Sequence, residues 1–195
     1  MKKIALSCRV IKNETYYELR EALDINWGAF MSAAGFLPVI LPLRCDFSQY
    51  QFDGILLTGG NDLYAVSGAE IDKLRDDFEK RLIDYCIGRG IPVFGVCRGM
   101  QIINDYFGGS LKKITRHAGT THKLDTGRTV NSYHGWAVDR VGEGLVISAK
   151  SGDGAAEELV SRRHAIAAQM HHPEREQPFS CIDIKHIQQF FGGTL

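Results

Sequence analysis

Cys97 stands at the centre of Gly95-Val96-Cys97-Arg98-Gly99, between the apolar run Ile91-Pro92-Val93-Phe94 and a helical pattern. The form is G-x-C-x-G, a nucleophile elbow with sulfur as the attacking atom. A sharp strand-to-helix turn holds the central residue in a strained conformation, and glycines two before and two after let the backbone pass close by. The turn pushes the sulfur out at the end of a sheet. It also sets it at a helix N-terminus, where unpaired N–H groups and the helix dipole favour an anion. Far downstream stands His171-His172-Pro173-Glu174. A cysteine on an elbow, a later imidazole and a nearby carboxylate are the parts of a nucleophile–base–orienter triad, the equipment of covalent catalysis.

A cysteine at an arbitrary strand-to-helix junction is a packing residue; the two flanking glycines set this one apart. Between the histidines, His172 is the candidate base and His171 its rival. If residues 165–170 form a strand running into Pro173, neighbours face opposite ways and only one imidazole can meet Cys97. Glu174, two residues on, shares a side with His172 if the chain stays extended, and can accept the proton of its other ring nitrogen. Gly59-Gly60 is the candidate oxyanion hole, one backbone N–H coming from that strand end and a second from Arg98, next after the nucleophile. His117 and His122 lie five apart with no H-E-x-x-H or C-x-x-C, so no metal site is expected. Neither a P-loop nor a strand-borne G-x-G-x-x-G is present, although Arg9, Arg116 or Lys123 could meet a phosphate.

The elements that must position these residues follow from the hydrophobic pattern. Lys3 to Ser7 predicts a short buried strand. Thr15-x-x-Glu18 reads as a capping box opening a helix through Leu19, Leu23, Trp27, Phe30, Met31 and Ala34 that ends at Gly35. Tyr16, Tyr17 and Arg20 would be pocket residues from that helix, and Trp27 core. Residues 38–41 and 54–58 predict the second and third strands, and Ile71, Leu74, Phe78, Leu82 and Cys86 a helical stripe. Residues 91–96 predict the fourth strand, running into the elbow, and the next helix stops at Gly108-Gly109. Alternating apolar strands and helices mean a mostly parallel sheet covered on both faces, with its ligand site beyond the carboxyl ends of the strands. The second half is antiparallel in flavour (130–132, 136–138, 145–149, 165–170), and a last helix is expected over 182–191.

The chain has 195 residues, which predicts one domain over 1–195 with a core that needs no staples. Lys plus Arg and Asp plus Glu both number 23, so nothing argues for a nucleic-acid partner. The apolar runs are too short for a membrane span, and Arg9 and Lys12 interrupt the N-terminal run that would otherwise suggest a signal peptide. Five cysteines at irregular spacing, Cys8, Cys45, Cys86, Cys97 and Cys181, fit neither a disulfide framework nor a zinc ribbon, and predict reduced thiols in a cytoplasm.

At these residues the chain resembles the class I glutamine amidotransferases, and more closely their γ-glutamyl hydrolase branch, the C26 peptidases. The elbow with Met100-Gln101, Thr58-Gly59-Gly60-Asn61-Asp62, Arg75-Asp76 with Glu79, Val130-Asn131-Ser132-Tyr133-His134, Ser151-Gly152-Asp153-Gly154 with Glu157, and His172-Pro173-Glu174 are similar to that branch's motifs, in order along essentially the whole chain. The resemblance implies a flavodoxin-like class I amidotransferase α/β fold with a triad of Cys97, His172 and Glu174. It implies oxyanion donors at Gly60 and Arg98, Gln101, Ser132 and Tyr133 at the glutamyl amino-acid end of the substrate, and Gly59 and His134 as further substrate-binding residues. Gln169-Met170 and Gly135-Trp136 depart from the family pattern, which bears on the leaving-group pocket rather than the triad.

The implied reaction is hydrolysis of a γ-glutamyl amide through a thioester, without cofactor. The compact length is similar to a short subgroup whose activity is hydrolysis of γ-glutamyl-CDP-amidate, giving cytidine diphosphoramidate for capsule polysaccharide modification. The alternatives are a γ-glutamyl-aminobutyrate-type hydrolase and a glutaminase subunit feeding ammonia to a partner synthase. Expected partners are therefore a small γ-glutamyl amide or glutamine and, on the last reading, a partner synthase; a homodimer is allowed for.

Overall fold

Short apolar strands separated by helices build the first half of the molecule. The computed structural model describes residues 1–193. In chain order the elements are β1 (Lys3–Leu6), β2 (Arg9–Lys12), β3 (Leu19–Ala22), α1 (Asn26–Ala33), β4 (Leu37–Ile40), β5 (Gly54–Leu57), α2 (Tyr64–Ser67), α3 (Glu70–Arg89), β6 (Val93–Val96) and α4 (Arg98–Tyr106). The second half continues with β7 (Ser110–Lys113), β8 (Ala118–Lys123), β9 (Thr129–Tyr133), β10 (Trp136–Arg140), β11 (Leu145–Lys150), β12 (Ala156–Ser161), β13 (Ile166–Gln169) and α5 (Cys181–Gly192).

Seven strands form the central sheet in the order β11-β12-β13-β6-β5-β1-β4. The five from β13 to β4 are parallel, and β12 and β11 extend the sheet antiparallel from β13. Every residue of β5, β6 and β13 is buried, so both faces are covered. Successive residues of β6 show the two layers. Phe94 meets Phe190 and Phe191 of α5 at ring separations of 5.2 and 6.3 Å. Gly95 faces α4, where a Cβ would lie 2.5 Å from the Gly99 carbonyl. This is the mostly parallel α/β architecture with a smaller antiparallel part that the pattern predicts.

From β1 the chain moves outward to β4, then returns to β1's other side for β5 and β6. The switch point therefore lies between β1 and β5, and the crevice beyond their carboxyl ends is where such sheets bind ligands. Thr58-Gly59-Gly60 leaves β5 there, Cys97 leaves β6 next to it, and residues 170–172 leave β13 beside that.

The segment 15–34 is a correction. Only Asn26–Ala33 is helical, while Arg9–Lys12 and Leu19–Ala22 pair as an antiparallel hairpin. The would-be cap is used otherwise: Glu18 bonds Arg20 Nε at 2.8 Å, and the Thr15 N–H donates to Asn13 Oδ1 in the hairpin turn. Leu19 and Leu23 are four apart and so match a helical period without belonging to a helix. The hairpin docks through Val10, whose N–H donates to Asn61 Oδ1 at 2.8 Å and whose carbonyl accepts from Asn61 Nδ2 at 2.9 Å. Strands β7, β8 and β12 have no counterpart among the predicted elements.

Candidate active site

The elbow is built by close backbone packing. Cys97 has φ 54° and ψ −105°, the strained turn that G-x-C-x-G predicts. Its N–H donates to the Gln169 carbonyl at 2.8 Å, and its carbonyl accepts from the Met100 N–H at 2.9 Å. A Cβ at Gly99 would lie 2.1 Å from the Leu57 carbonyl oxygen, so helix α4 can sit against β5 only with glycine at that position. The cysteines divide by environment: burial pushes the Cys8 thiol up to about 11 and that of Cys86 to about 12, which leaves both inert.

Opposite the elbow, a buried charge network holds the strand end 58–60. Arg75 donates from Nη2 to the Thr58 carbonyl at 2.7 Å and from Nη1 to the carbonyls of Gly59 and Gly60 at 3.0 and 2.6 Å. With the Gly59 carbonyl turned onto Arg75, the trans peptide sends the Gly60 N–H the other way. Arg75 Nε bonds Glu79 Oε1 at 2.9 Å, while the Arg98 guanidinium bonds Glu79 Oε2 and Asp76 Oδ1. Arg75, Glu79 and Arg98 are essentially unexposed. Burial would raise the Glu79 carboxyl, but the two guanidinium groups outweigh it and hold it below its ordinary value. Two cations and two anions thus tie α3, the residue after Cys97 and the strand end 58–60 into one unit.

His172 faces this unit. A Cβ on Gly59 would lie 2.6 Å from its Cε1, so the imidazole occupies the space a side chain would need. Its Nδ1 is 2.6 Å from Glu174 Oε1. Asn131 fixes its backbone from both sides: Oδ1 accepts the His172 N–H and Nδ2 donates to its carbonyl, each at 2.8 Å. His171 points elsewhere, with Nε2 3.0 Å from Asp183 Oδ1 on α5. Burial alone would lower the His172 imidazole; its bonds to Cys97 and Glu174 outweigh burial and raise it to about 9. His172 is therefore an imidazolium at neutral pH and loses its proton as pH rises through about 9. The alkaline limb of kcat/KM is expected there, and Glu174→Gln is expected to move it to lower pH. A limb that stays in place in the variant would show that Glu174 does not help hold that proton.

The peptidase C26 family model matches residues 4–128 and 120–174. The chain belongs to the peptidase C26 family. It is 33% identical over 197 residues to the γ-glutamyl-CDP-amidate hydrolase of Campylobacter jejuni, covering 97% of each chain. It is 30% identical over 204 residues to a Schizosaccharomyces pombe protein named as a glutamine amidotransferase, covering 85% of this chain and 79% of that one. A crystal structure of a GMP synthase-type protein from Thermoplasma acidophilum shares the fold with a TM-score of 0.76 at 19% identity, over 98% of this chain and 93% of that one. The likeness fits a hydrolase of the C26 type.

The remaining candidate residues of this C26 chain divide by position. A cleft of about 230 Å³ is lined by Gly59, Gly60 and His172 together with Arg9, Trp27 and Arg175. Tyr133 is half exposed, with its ring edge-on to His172 at 5.7 Å and the Arg175 guanidinium 4.7 Å from its centre. Gln101, Ser132 and His134 are buried and do not line the cleft. Gln101 Nε2 donates to the Trp136 carbonyl at 3.1 Å, Ser132 Oγ donates to the His117 carbonyl, and His134 Nδ1 is 3.0 Å from the Trp136 carbonyl. These bonds build the wall behind the site. Tyr16, Tyr17 and Arg20 belong to the hairpin and its turn rather than to a helix, and none of them lines the cleft; Trp27, expected as core, is buried yet lines it. Arg9 reaches the cleft because the hairpin lays its side chain against Gly60, where a Cβ would be 3.0 Å from Arg9 Cδ.

No helix among the described residues is long and apolar enough to cross a membrane.

Proposed function

We propose that this chain hydrolyses a γ-glutamyl amide whose leaving group carries a diphosphate, with γ-glutamyl-CDP-amidate as the substrate. The observation that carries the choice is the pair Arg9 and Arg175 in the cleft beside Gly59, Gly60 and His172. Two guanidinium groups in the cleft that His172 lines suit a diphosphate on the departing nitrogen, and the C. jejuni relative, similar over 97% of its length, is named for that substrate.

On this reading the residues take the following roles. The Cys97 thiolate attacks the γ-carbonyl carbon, and the oxyanion is held by the backbone N–H groups of Gly60 and Arg98. As the tetrahedral intermediate collapses, the C–N bond breaks and His172 gives its proton to the leaving nitrogen. Neutral His172 then takes a proton from water as the water attacks the thioester, releasing glutamate and restoring the Cys97 thiolate with its imidazolium. Glu174 keeps the imidazole oriented through Nδ1.

The test is glutamate release by the purified chain on glutamine, γ-glutamyl-aminobutyrate, γ-glutamyl-putrescine and γ-glutamyl-CDP-amidate. The diphosphate-bearing amide is expected to be preferred, and Arg9→Ala to raise its KM about tenfold or more while leaving smaller amides unchanged. Slow turnover of glutamine alone would overturn the reading in favour of a glutaminase that works with a synthase.

A further inference from the structure

Four side chains that this hydrolysis does not use converge where the β8–β9 hairpin meets β12. They are His117, just before β8; His122, on β8; His134, one residue beyond β9; and Glu157, on β12. One nitrogen or oxygen from each lies within 4.8 Å of the corresponding atom of every other. Glu157 is wholly buried and neither of its oxygens has a hydrogen-bond partner among the described residues; the same holds for His122 Nε2. A carboxylate in that position calls for a cation.

The protons on two of the rings are set by their outer partners. His134 Nδ1 lies 3.0 Å from the Trp136 carbonyl, which can only accept, so Nδ1 carries the proton and Nε2 is bare. His117 Nε2 lies 2.8 Å from Asp153 Oδ2, so its proton is there and Nδ1 is bare. The two bare nitrogens then face each other at 3.3 Å, and each is 3.6 Å from Glu157 Oε1. A proton shared between the rings would serve one pair and leave Glu157 and His122 unserved. A metal ion serves all four. Ligands bound at about 2.0–2.1 Å around a tetrahedral centre are separated by about 3.3–3.4 Å, close to the 3.3 and 3.6 Å among His117, His134 and Glu157, with His122 within 4.8 Å of each.

We propose that His117, His122, His134 and Glu157 bind a divalent transition metal, zinc foremost, in a closed structural site. Three imidazoles and one carboxylate in a tetrahedral arrangement suit zinc, and four protein ligands leave no open position for catalysis. Asp153 and the Trp136 carbonyl are the outer hydrogen-bond acceptors that orient two of the ligands. The site ties β8 and β9 to the central sheet. Strand β9 also carries Asn131, which clamps the His172 backbone, so the metal would steady the base without touching substrate. The expectation of no metal rests on the missing H-E-x-x-H and C-x-x-C motifs; His117 and His122 do stand at H-x4-H, but His134 and Glu157 come from distant segments.

The test is metal content and cobalt(II) spectroscopy on the full chain purified from zinc-supplemented medium. About one zinc per chain is expected. Chelation should lower the melting temperature, and cobalt(II) added to the stripped protein should give the intense visible absorption of a tetrahedral site. His122→Ala and Glu157→Gln should each weaken cobalt binding at least about tenfold, and Asp153→Asn, which keeps an acceptor for Ser151 Oγ and the Ala155 N–H, by about 10- to 100-fold. Binding should persist in Cys97→Ala, which removes the competing thiolate. Absence of bound metal with no melting shift on adding zinc would overturn the proposal. So would binding that is insensitive to His122→Ala and Asp153→Asn, or that disappears with Cys97.

Discussion

Cys97→Ala is expected to lose glutamate release by about 10⁴-fold or more while keeping its fold. The sulfur is the only atom lost, and the elbow is held by backbone bonds to Gln169 and Met100 and by the Gly95–Gly99 contact, none of which involves the side chain. Alanine takes the same left-handed φ at a strain similar to cysteine's. What remains should be the small effect of the oxyanion donors on water attack, since removing one member of a triad abolishes the covalent route as a unit. The measurement is steady-state glutamate release beside a thermal melt. Activity within about tenfold of the parent, on a folded variant, would remove Cys97 as the nucleophile.

Glu79→Ala is expected to be strongly destabilising. It strips the partner from Arg75 Nε and from one arm of Arg98, leaving two buried guanidinium groups facing one remaining carboxylate, Asp76. Breaking a buried pair from one side costs about 3–5 kcal/mol, because the surviving charge stays desolvated. For a chain of this size that corresponds to a fall on the order of 10 °C in Tm. Activity should fall further than stability explains, since Arg75 would no longer be held onto the carbonyls of residues 58–60 that aim the Gly60 N–H. Glu79→Gln keeps the shape and part of the hydrogen bonding and should fall between. A loss below about 1 kcal/mol for Glu79→Ala would mean that the network contributes little to holding the strand end.

The parts of the site that are local in sequence were legible there. The elbow is five consecutive residues whose glycines have a steric reason, visible in the contacts Gly95 and Gly99 make. His172 and Glu174 are two apart and pair, and His171 faces away, although the strand ends at Gln169 and Pro173–Arg175 form a 3-10 turn rather than the extended chain expected. The parallel sheet followed from mostly apolar runs of four to six residues between helical stripes. What could not be read was non-local. The β2–β3 hairpin hides in a stretch whose apolar spacing also fits a helix, because pairing of Arg9–Lys12 with Leu19–Ala22 is decided by docking on Asn61. Arg9 enters the cleft only through that hairpin. The convergence of Arg75, Asp76, Glu79 and Arg98 needs α3 to lie against α4, and nothing in their spacing announces two buried guanidinium groups. The side chains of Ser132 and His134 are spent on the wall behind the site, a matter of which way a strand faces its neighbours.

The central claim is that a γ-glutamyl thioester forms on Cys97, and its most direct test is rapid acid quench of the chain during turnover, followed by mass spectrometry of its peptides. The peptide carrying Cys97 is expected to gain the mass of one γ-glutamyl group and to lose it on hydroxylamine treatment; His172→Ala, which also lacks the proton donor for the leaving nitrogen, is expected to form the adduct far more slowly. A quenched protein that turns substrate over with no adduct on Cys97, or with the adduct on another residue, would contradict the account.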